Sequence, residues 1–343
     1  MILIGFHLLI GLALCLSFAA LGIRLAPSLG LLDIPSGRHL HARPVARVGG
    51  LAFLLTSLIC RVPAGIWPPM TGIEFLGFAA MACIGFLDDL RGLPARRKAW
   101  MGAMVGAVLA LATAARLAPL GPGLTLASIP VPAGPSALAP LLFLLFWGMP
   151  NACNLIDGAD GLAPGFGLLL VGSLWLAGHP HPALAGALGA VLALNWPRPR
   201  LFLGDCGSLS IGLLLAVLVT SEVGWRDPDL VLWAFAYPIT DVALVVSLRL
   251  ARGRSLTQGD RSHLHYQIQD RWPRLAPWAV PWLWLMAGMC ASKLYVQGPW
   301  GRVPLLGVVL LAIQAGCFLV AGIWPAQAGE CLDPAPGPPQ SET

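Results

Sequence analysis

Eleven apolar runs, each bounded by charged residues, proline or glycine, follow one another along this chain of 343 residues. A helix needs roughly 20 apolar residues to cross a bilayer, and only 11% of the residues are charged, about half the fraction found in soluble domains. The pattern argues against a soluble enzyme and predicts an all-α polytopic membrane protein with about 10–11 transmembrane helices. The runs cover residues 2–23, 48–66, 71–87, 99–115, 136–155, 161–177, 182–196, 207–221, 229–248, 276–291 and 303–323.

Basic residues distinguish the two ends of these runs. With the N-terminus outside, the odd-numbered connections contain 16 of the 21 Lys and Arg residues, and such residues accumulate on the cytoplasmic side of a membrane. We therefore expect these connections to face the cytoplasm. The net charge of +5 is too small to indicate nucleic-acid binding. Residues 1–324 form the predicted membrane domain, and the Pro-rich, acidic residues 325–343 are predicted to be a disordered tail.

The eight cysteines show no spacing typical of a metal or redox site. No two of them lie closer than fourteen residues, and no CxxC pair occurs. Most lie inside apolar runs, so we predict buried free thiols rather than disulfides.

Polar residues gather in four clusters at the ends of apolar runs, all on the side predicted to be cytoplasmic. Taken alone, each cluster has an ordinary explanation as a solvated helix end, a turn, a helix N-cap or an interfacial loop. An unpaired charge in lipid costs at least a few kcal/mol, so their occurrence on one side indicates a single site. The clusters are Asp88 with Asp89, Asp157 with Asp160, Asp205, and His263 with His265.

The residue types of these clusters indicate phosphate chemistry. Five carboxylates cannot crowd together in a low dielectric without a cation, and the neighbouring Lys98 and arginines suit phosphate. A hard divalent ion such as Mg²⁺ fits that combination, whereas two histidines at i and i+2 make a poor zinc site. Asp241 differs from these residues because it lies inside the ninth run rather than at its end. Pairing with another residue and contact with substrate both stay open as its role.

Read together, the motifs resemble those of the polyprenyl-phosphate N-acetylhexosamine-1-phosphate transferases, the MraY/WecA-like enzymes of glycosyltransferase family 4. They occur in that family's order from residue 33 to about residue 266. The matching segments are Asp33-Ile34-Pro35, Arg47-Val48-Gly49-Gly50, Asp88-Asp89 with Lys98, Asn154-Leu155-Ile156-Asp157-Gly158, Asp160-Gly161, Asn195-Trp196-Pro197, Phe202-Leu203-Gly204-Asp205, Gly207-Ser208, Pro238-Ile239-Thr240-Asp241 and Asp260-Arg261-Ser262-His263-Leu264-His265.

The resemblance implies transfer of a sugar 1-phosphate from a UDP-amino sugar to undecaprenyl phosphate, with release of UMP and a requirement for Mg²⁺ or Mn²⁺. It implies a bacterial inner-membrane enzyme whose active site faces the cytoplasm and whose product initiates cell-surface polysaccharide synthesis. The His-x-His form and the Asn-Trp-Pro segment favour the WecA or O-antigen-initiating branch. Which amino sugar is used stays open, as does the oligomeric state, with a homodimer among the alternatives.

The resemblance also implies roles for single residues. Asp205 would ligate the metal together with Asp88, and Asp88 would act on the lipid phosphate as base or nucleophile with Asp89 as its partner. Direct attack and a phospho-enzyme intermediate both stay open. Asp157 would take part in catalysis and would help bind the nucleotide sugar. The histidines His263 and His265 would hold pyrophosphate oxygens. The implied substrate-binding residues are Lys98, Asn154, Asp160, Asn195 and Arg261.

Two departures from the family pattern and three alternatives accompany this interpretation. The chain has Arg38-His39 where many relatives have Arg-Lys, and Tyr266 where a further histidine is usual.

The alternatives are a peptidoglycan phospho-MurNAc-pentapeptide transferase, a transporter of anionic lipid-linked solutes and an intramembrane prenyltransferase. A transporter would place its site near the midplane at a repeat interface. A prenyltransferase would lack the Asn/Asp/Gly segment and the Gly-Asp-x-Gly-Ser signature.

Overall fold

The computed structural model describes residues 2–34, 43–62, 65–117, 124–126, 129–131, 135–224, 228–255, 261–295 and 303–323. The predicted tail at residues 325–343 and the Arg38-His39 departure lie outside these ranges.

Within them the chain is almost entirely helical, and every predicted apolar run coincides with a helix. The ninth run is divided into two helices at Phe235. The helices are α1 (Ile2–Leu29), α2 (Gly49–Arg61), α3 (Gly72–Arg91), α4 (Ala95–Leu117), α5 (Pro135–Ile156), α6 (Leu162–Leu176), α7 (Pro182–Asn195), α8 (Gly204–Val219), α9 (Pro228–Ala234), α10 (Ala236–Ala251), α11 (Leu264–Arg271), α12 (Ala279–Ala291) and α13 (Val303–Ile323). A π-helical turn follows α8 at Thr220–Gly224, and 3₁₀ turns flank α12 at Pro273–Trp278 and Ser292–Leu294.

Several of these helices can cross a membrane. In the part of the chain that the structure describes, five segments are long and apolar enough by length and composition. Four shorter apolar helices accompany them, so the predicted all-α polytopic membrane fold is confirmed. The five segments are Ile2–Leu29, Ala95–Leu117, Leu138–Ile156, Gly204–Glu222 and Pro273–Leu294, and the shorter ones are Gly49–Arg61, Leu162–Leu176, Pro182–Asn195 and Pro304–Leu319.

Helix α8 forms the centre of the bundle. Every residue from Cys206 to Val219 is buried, and the helix packs against α2, α3, α5 and α6. Glycines permit the closest crossings. A Cβ atom on Gly85 of α3 would lie 2.2 Å from the carbonyl oxygen of Asp205, and one on Gly50 of α2 would lie 2.0 Å from the backbone nitrogen of Gly207. The first turn of α8 is therefore held by direct backbone packing.

A small sheet, which the sequence did not predict, lies beside that first turn. Its strands are β1 (Leu32–Asp33), β2 (Val45–Arg47) and β5 (Leu201–Phe202). Strand β2 pairs antiparallel with β1 and parallel with β5. This pairing brings the connection between α1 and α2 next to the residues that lead into α8. A separate hairpin joins β3 (Leu124–Leu126) to β4 (Ile129–Val131).

The seven cysteines within the described residues are all free thiols, and five of them are buried. The prediction of free thiols is confirmed for these seven, whereas the predicted burial is wrong for Cys83 and Cys317. Cys331 lies outside the described residues.

Candidate active site

Lys98 joins two of the predicted acidic clusters. Helix α3 ends at Arg91, Gly92 adopts a left-handed conformation with φ of 62°, and α4 begins three residues later, which places Lys98 in the first turn of α4. Its Nζ donates hydrogen bonds to Asp88 Oδ2, at 2.9 Å, and to Asp205 Oδ2. The three side chains are between 14% and 24% exposed. Asp88 and Asp205, 117 positions apart in the chain, are therefore in one ion-pair network.

Asp89 contacts the start of α8 with both of its carboxylate oxygens. Oδ1 accepts a hydrogen bond from the Asp205 backbone N–H at 2.9 Å, and Oδ2 accepts one from the Cys206 N–H at 3.0 Å. Gly204 makes this approach possible, since its φ is +70° and a Cβ there would lie 2.7 Å from Asp89 Oδ2. A carboxylate at a helix N-terminus satisfies free N–H groups and interacts favourably with the helix dipole. In the structure Asp89 therefore fixes the position of Asp205.

The Asp157–Asp160 turn follows α5 and faces the same region. Burial raises the pKa of Asp157 well above its usual range, and the negative charges of Asp205, Asp89 and Asp160 raise this pKa further. One turn earlier on α5, Asn154 Nδ2 donates to Ser208 Oγ of α8 at 2.9 Å. The structure thus brings all three carboxylate clusters to the N-terminal end of α8.

These side chains surround a cleft of about 700 Å³. Six of the predicted site residues line it, and Asp88 and Lys98 adjoin it through Asp205. Two arginines, Arg47 and Arg261, lie among its acidic residues. The predicted residues in the lining are Asp89, Asp157, Asp160, Asn195, Asp205 and Arg261.

Asn195 lines the cleft, and both polar atoms of its side chain bond to the backbone. Its side chain is 2% exposed. Its Oδ1 accepts the Gly161 N–H, and its Nδ2 donates to the Leu201 carbonyl oxygen at 3.0 Å. These bonds fix the start of α6 and strand β5, so the amide supports the cleft wall.

The His-x-His segment is held by Asp241. The Asp241 side chain is fully buried, and its Oδ2 lies 2.7 Å from His263 Nδ1. Its Oδ1 accepts the Leu264 backbone N–H, also at 2.7 Å. Of the two alternatives for this aspartate, structural pairing is observed, with a histidine as the partner.

His265 packs parallel to His263, and its ring has no hydrogen bond within the described part of the chain. The two rings are 5.7 Å apart at 13°. His265 is fully buried, and neither ring nitrogen has a hydrogen-bond partner among the described residues. Burial lowers the pKa of His265 to about 3, so the imidazole is neutral at physiological pH.

The structure adds residues that sequence reasoning did not assign to the site. Arg47 pairs with Asp33 at 2.7 Å, and both line the cleft together with Trp196 and Tyr266. The only sequence signal that Asp33 and Arg47 belong to the site was their occurrence in the matched motifs. Their place in the cleft depends on the pairing of Arg47 with Phe202 across β2 and β5, which no local pattern reveals.

A divalent cation is compatible with the donors present. No group of three His, Cys, Asp or Glu side chains in the described ranges has the arrangement of a preformed metal site. Mg²⁺, however, is usually bound by one or two carboxylates plus substrate phosphates. The carboxylates near α8 provide hard oxygen donors. The pKa of Asp157 is raised first by burial and then by neighbouring negative charges, which a cation would offset.

Comparisons with known proteins agree with this site. A profile described as "Glycosyl transferase family 4" matches residues 72–222, which contain all three carboxylate clusters. The chain is 30% identical over 336 residues to the decaprenyl-phosphate N-acetylglucosaminephosphotransferase of Mycobacterium tuberculosis (strain CDC 1551 / Oshkosh), covering 84% of this chain and 82% of that protein.

Two further relatives share this enzyme class. One is the probable undecaprenyl-phosphate N-acetylglucosaminyl 1-phosphate transferase of Bacillus subtilis (strain 168), 28% identical over 264 residues. The other is the undecaprenyl-phosphate alpha-N-acetylglucosaminyl 1-phosphate transferase of Escherichia coli (strain K12), 27% identical over 262 residues. Each alignment covers 71% of both chains. These similarities confirm the family predicted from the motifs: the chain belongs to glycosyl transferase family 4.

Proposed function

We propose that this protein transfers an N-acetylated amino-sugar 1-phosphate from a UDP-sugar to undecaprenyl phosphate and releases UMP. The names of the three relatives support a polyprenyl-phosphate acceptor and an N-acetylglucosamine phosphate group. The mycobacterial relative is named for decaprenyl phosphate and the other two for undecaprenyl phosphate, so both lipids belong in the test. The lipid product would initiate a cell-surface polysaccharide, as in the WecA or O-antigen-initiating branch.

The observation that carries this proposal is the Asp88–Lys98–Asp205 network at the edge of the cleft. Two carboxylates meet there on one ammonium group, while Arg47 and Arg261 lie in the adjoining lining. Both proposed substrates are anionic and repel one another. Positive groups must therefore already be in position in the cleft before the two substrates can react. Lys98 donates hydrogen bonds to both Asp88 and Asp205, and the arginines attract phosphate oxygens.

The residues around the cleft would have different roles in the reaction. Mg²⁺, or Mn²⁺ in its place, would be held by Asp205 and Asp88 with substrate phosphates, and supplies charge that offsets the diphosphate and the departing nucleotide. Asp88 would act on the lipid phosphate as base or nucleophile. Asp157 and Asp160 would accept hydrogen bonds from the nucleotide sugar, and His263, which Asp241 orients, would bind a phosphate oxygen through Nε2.

We further propose that the cleft faces the cytoplasm from the bacterial inner membrane. The first, third, fifth, seventh and ninth connections meet at the N-terminal end of α8, and the Lys and Arg residues are concentrated in the odd-numbered connections. A UDP-sugar made in the cytoplasm could then enter from the aqueous side, while the prenyl chain of the acceptor stays in the lipid.

The direct test measures UMP release by purified protein in nanodiscs with Mg²⁺. The acceptors are undecaprenyl and decaprenyl phosphate, and the donors are UDP-N-acetylglucosamine, UDP-N-acetylgalactosamine and UDP-MurNAc-pentapeptide. Release with an N-acetylhexosamine donor supports the proposal, release with only the pentapeptide donor supports the peptidoglycan alternative, and no release by folded protein contradicts both.

Variants at neighbouring positions make the test specific to the site. Asp205→Asn and Asp88→Asn are expected to reduce UMP release by at least about 10³-fold, because each removes charge from the reacting centre. Cys206→Ala is the matched control, since the Cys206 side chain is buried while only its backbone N–H contacts Asp89. A Cys206→Ala variant as inactive as Asp205→Asn would mean that packing, rather than charge, explains the loss.

A further inference from the structure

Tyr266 connects two segments of the cleft wall that are 108 positions apart in the chain. Its hydroxyl donates a hydrogen bond to the Gly158 carbonyl oxygen at 3.1 Å, in the turn that carries Asp157 and Asp160. Its ring lies 4.1 Å from the His265 ring. A Cβ atom on Gly158 would come within 3.0 Å of the Tyr266 hydroxyl, so the glycine permits this contact.

Arg261 is held by Tyr266 on one side and by Asp270 on another. Its Cζ lies 4.4 Å from the centre of the Tyr266 ring. Its Nε and Nη2 donate to the two carboxylate oxygens of Asp270 at 3.1 and 2.6 Å. These bonds use one edge of the guanidinium and leave Nη1 without a hydrogen bond to any described residue. The Arg261 side chain is 47% exposed and lines the cleft.

We propose that Tyr266 is a positioning residue that orients Arg261 toward the phosphate groups of the nucleotide sugar. The inference rests on the function proposed above. A guanidinium on a flexible side chain loses conformational entropy when it binds an anion, and fixing it beforehand lowers that cost. The aromatic face restrains the plane of the guanidinium, and the bond to Gly158 fixes the aromatic ring relative to Asp157 and Asp160.

A tyrosine can make this arrangement where a histidine is usual in the resembled family. A phenol places its hydroxyl beyond the ring, so one side chain can reach the Gly158 carbonyl while its face stays under Arg261. Burial also raises the pKa of Tyr266, so the hydroxyl remains a donor across the physiological range. An imidazole lacks that reach, and in its protonated form it would repel the guanidinium.

The experiment is a double-mutant cycle on the full-length protein. Tyr266→Leu removes the ring and the hydroxyl, Tyr266→Phe removes only the hydroxyl, and each is combined with Arg261→Ala. We expect Tyr266→Leu to raise the KM for UDP-N-acetylglucosamine by about 3–30-fold with a smaller change in kcat, and Tyr266→Phe to have an intermediate effect. In the Arg261→Ala background, Tyr266→Leu should change the KM by less than about 2-fold.

Several outcomes would overturn the inference. The same factor for Tyr266→Leu with and without Arg261 would show independent action, and a change in kcat alone would show no role in donor binding. Tyr295→Leu, at an exposed tyrosine directly after the 3₁₀ turn that follows α12, is the control and should leave the KM unchanged. If Tyr266→Leu fails to fold, the Tyr266→Phe cycle decides. Wild-type protein that neither binds nor turns over any donor overturns the proposed function, and this inference with it.

Discussion

Asp241 and His263 form a buried acid–imidazole pair behind the cleft. The 2.7 Å contact to His263 Nδ1 and the equal contact to the Leu264 N–H use both carboxylate oxygens. A carboxylate on Nδ1 fixes the tautomer and the orientation of an imidazole, which leaves Nε2 for substrate. The pair explains why an acidic residue is tolerated inside the ninth apolar run.

The first prediction concerns this pair. Asp241→Asn is expected to lower kcat by about 10–100-fold, because a charge-assisted hydrogen bond is replaced by a neutral one that does not fix the tautomer. Thr240→Val is the control, since the Thr240 hydroxyl bonds only within its own helix, to the Ala236 carbonyl. An unchanged kcat in a folded Asp241→Asn variant would show that the pair only supports the fold.

His265 gives a prediction about stability and pH. The pKa of His265 is lowered to about 3 by burial, whereas an unfolded histidine titrates near pH 6.5. Between these values the unfolded state binds a proton that the folded state does not, so stability falls as the pH is lowered, by up to about 1.4 kcal/mol per pH unit. Above about pH 6.5 the residue makes no pH-dependent contribution.

Thermal unfolding in detergent at pH 7.5, 6 and 4.5 checks this expectation. The difference between wild type and His265→Gln isolates the contribution of His265, because other groups titrate in both proteins. The wild type should lose stability faster than the variant as the pH falls. Parallel curves would contradict the assignment of a buried neutral imidazole.

At the same scale, the sequence predicted which residues come together better than it predicted their contacts. The convergence of Asp88, Asp157 and Asp205 was predictable because charges in an apolar chain must gather on one side. That Asp89 contacts the backbone of α8 was not predictable, because this contact depends on a helix crossing between distant segments. For the same reason the backbone contacts of the Asn195 amide were not foreseen.

Among the elements, α8 determines the geometry of the site. Its first turn carries Asp205, and α3 crosses it closely enough that Lys98, in the first turn of α4, donates to both Asp88 and Asp205. Gly85 permits the crossing, since any Cβ there would overlap the Asp205 carbonyl oxygen. A separation of α3 from α8 would therefore also separate the ion-pair network.

Gly85→Ala is expected to destabilise the protein by about 1–3 kcal/mol, as overpacking does, and to lower kcat more than it raises KM. Thermal unfolding and steady-state kinetics check both parts. Gly172→Ala on α6 is the matched control, because that helical glycine has open space around it, and an alanine there should be neutral or slightly stabilising. Equal behaviour of the two variants would show that the crossing does not position the site.

The elements also differ in how far sequence predicts them. The long apolar runs predicted every helix from α1 to α8, since about 20 apolar residues leave few alternatives in a membrane. The two- and three-residue strands β1, β2 and β5 were too short to show alternation. Their pairing is set by long-range contacts, and it brings Arg47 to the cleft.

Across the whole molecule, charge is concentrated at one end of an apolar bundle. The acids of the cleft are partly balanced by Lys98, Arg47 and Arg261, yet the pKa of Asp157 is still raised, by burial and then by the charges of its acidic neighbours. This residual repulsion is a cost of the folded protein without a cation. Binding of a divalent ion should therefore be linked to stability and to proton release.

Mg²⁺ is accordingly expected to raise the thermal unfolding midpoint, in the absence of substrates, by an amount that grows with pH. At 100 times its Kd an ion contributes about 2.7 kcal/mol. The shift should be larger at pH 8 than at pH 6. Because the pKa of the Asp157 carboxyl is raised, protons compete with the ion for the acidic cleft, and this competition weakens as the pH rises. EDTA should reverse the shift, and Cys206→Ala should retain it. Asp205→Asn should lose most of it, and an Asp205→Asn variant stabilised as much as wild type would place the cation elsewhere.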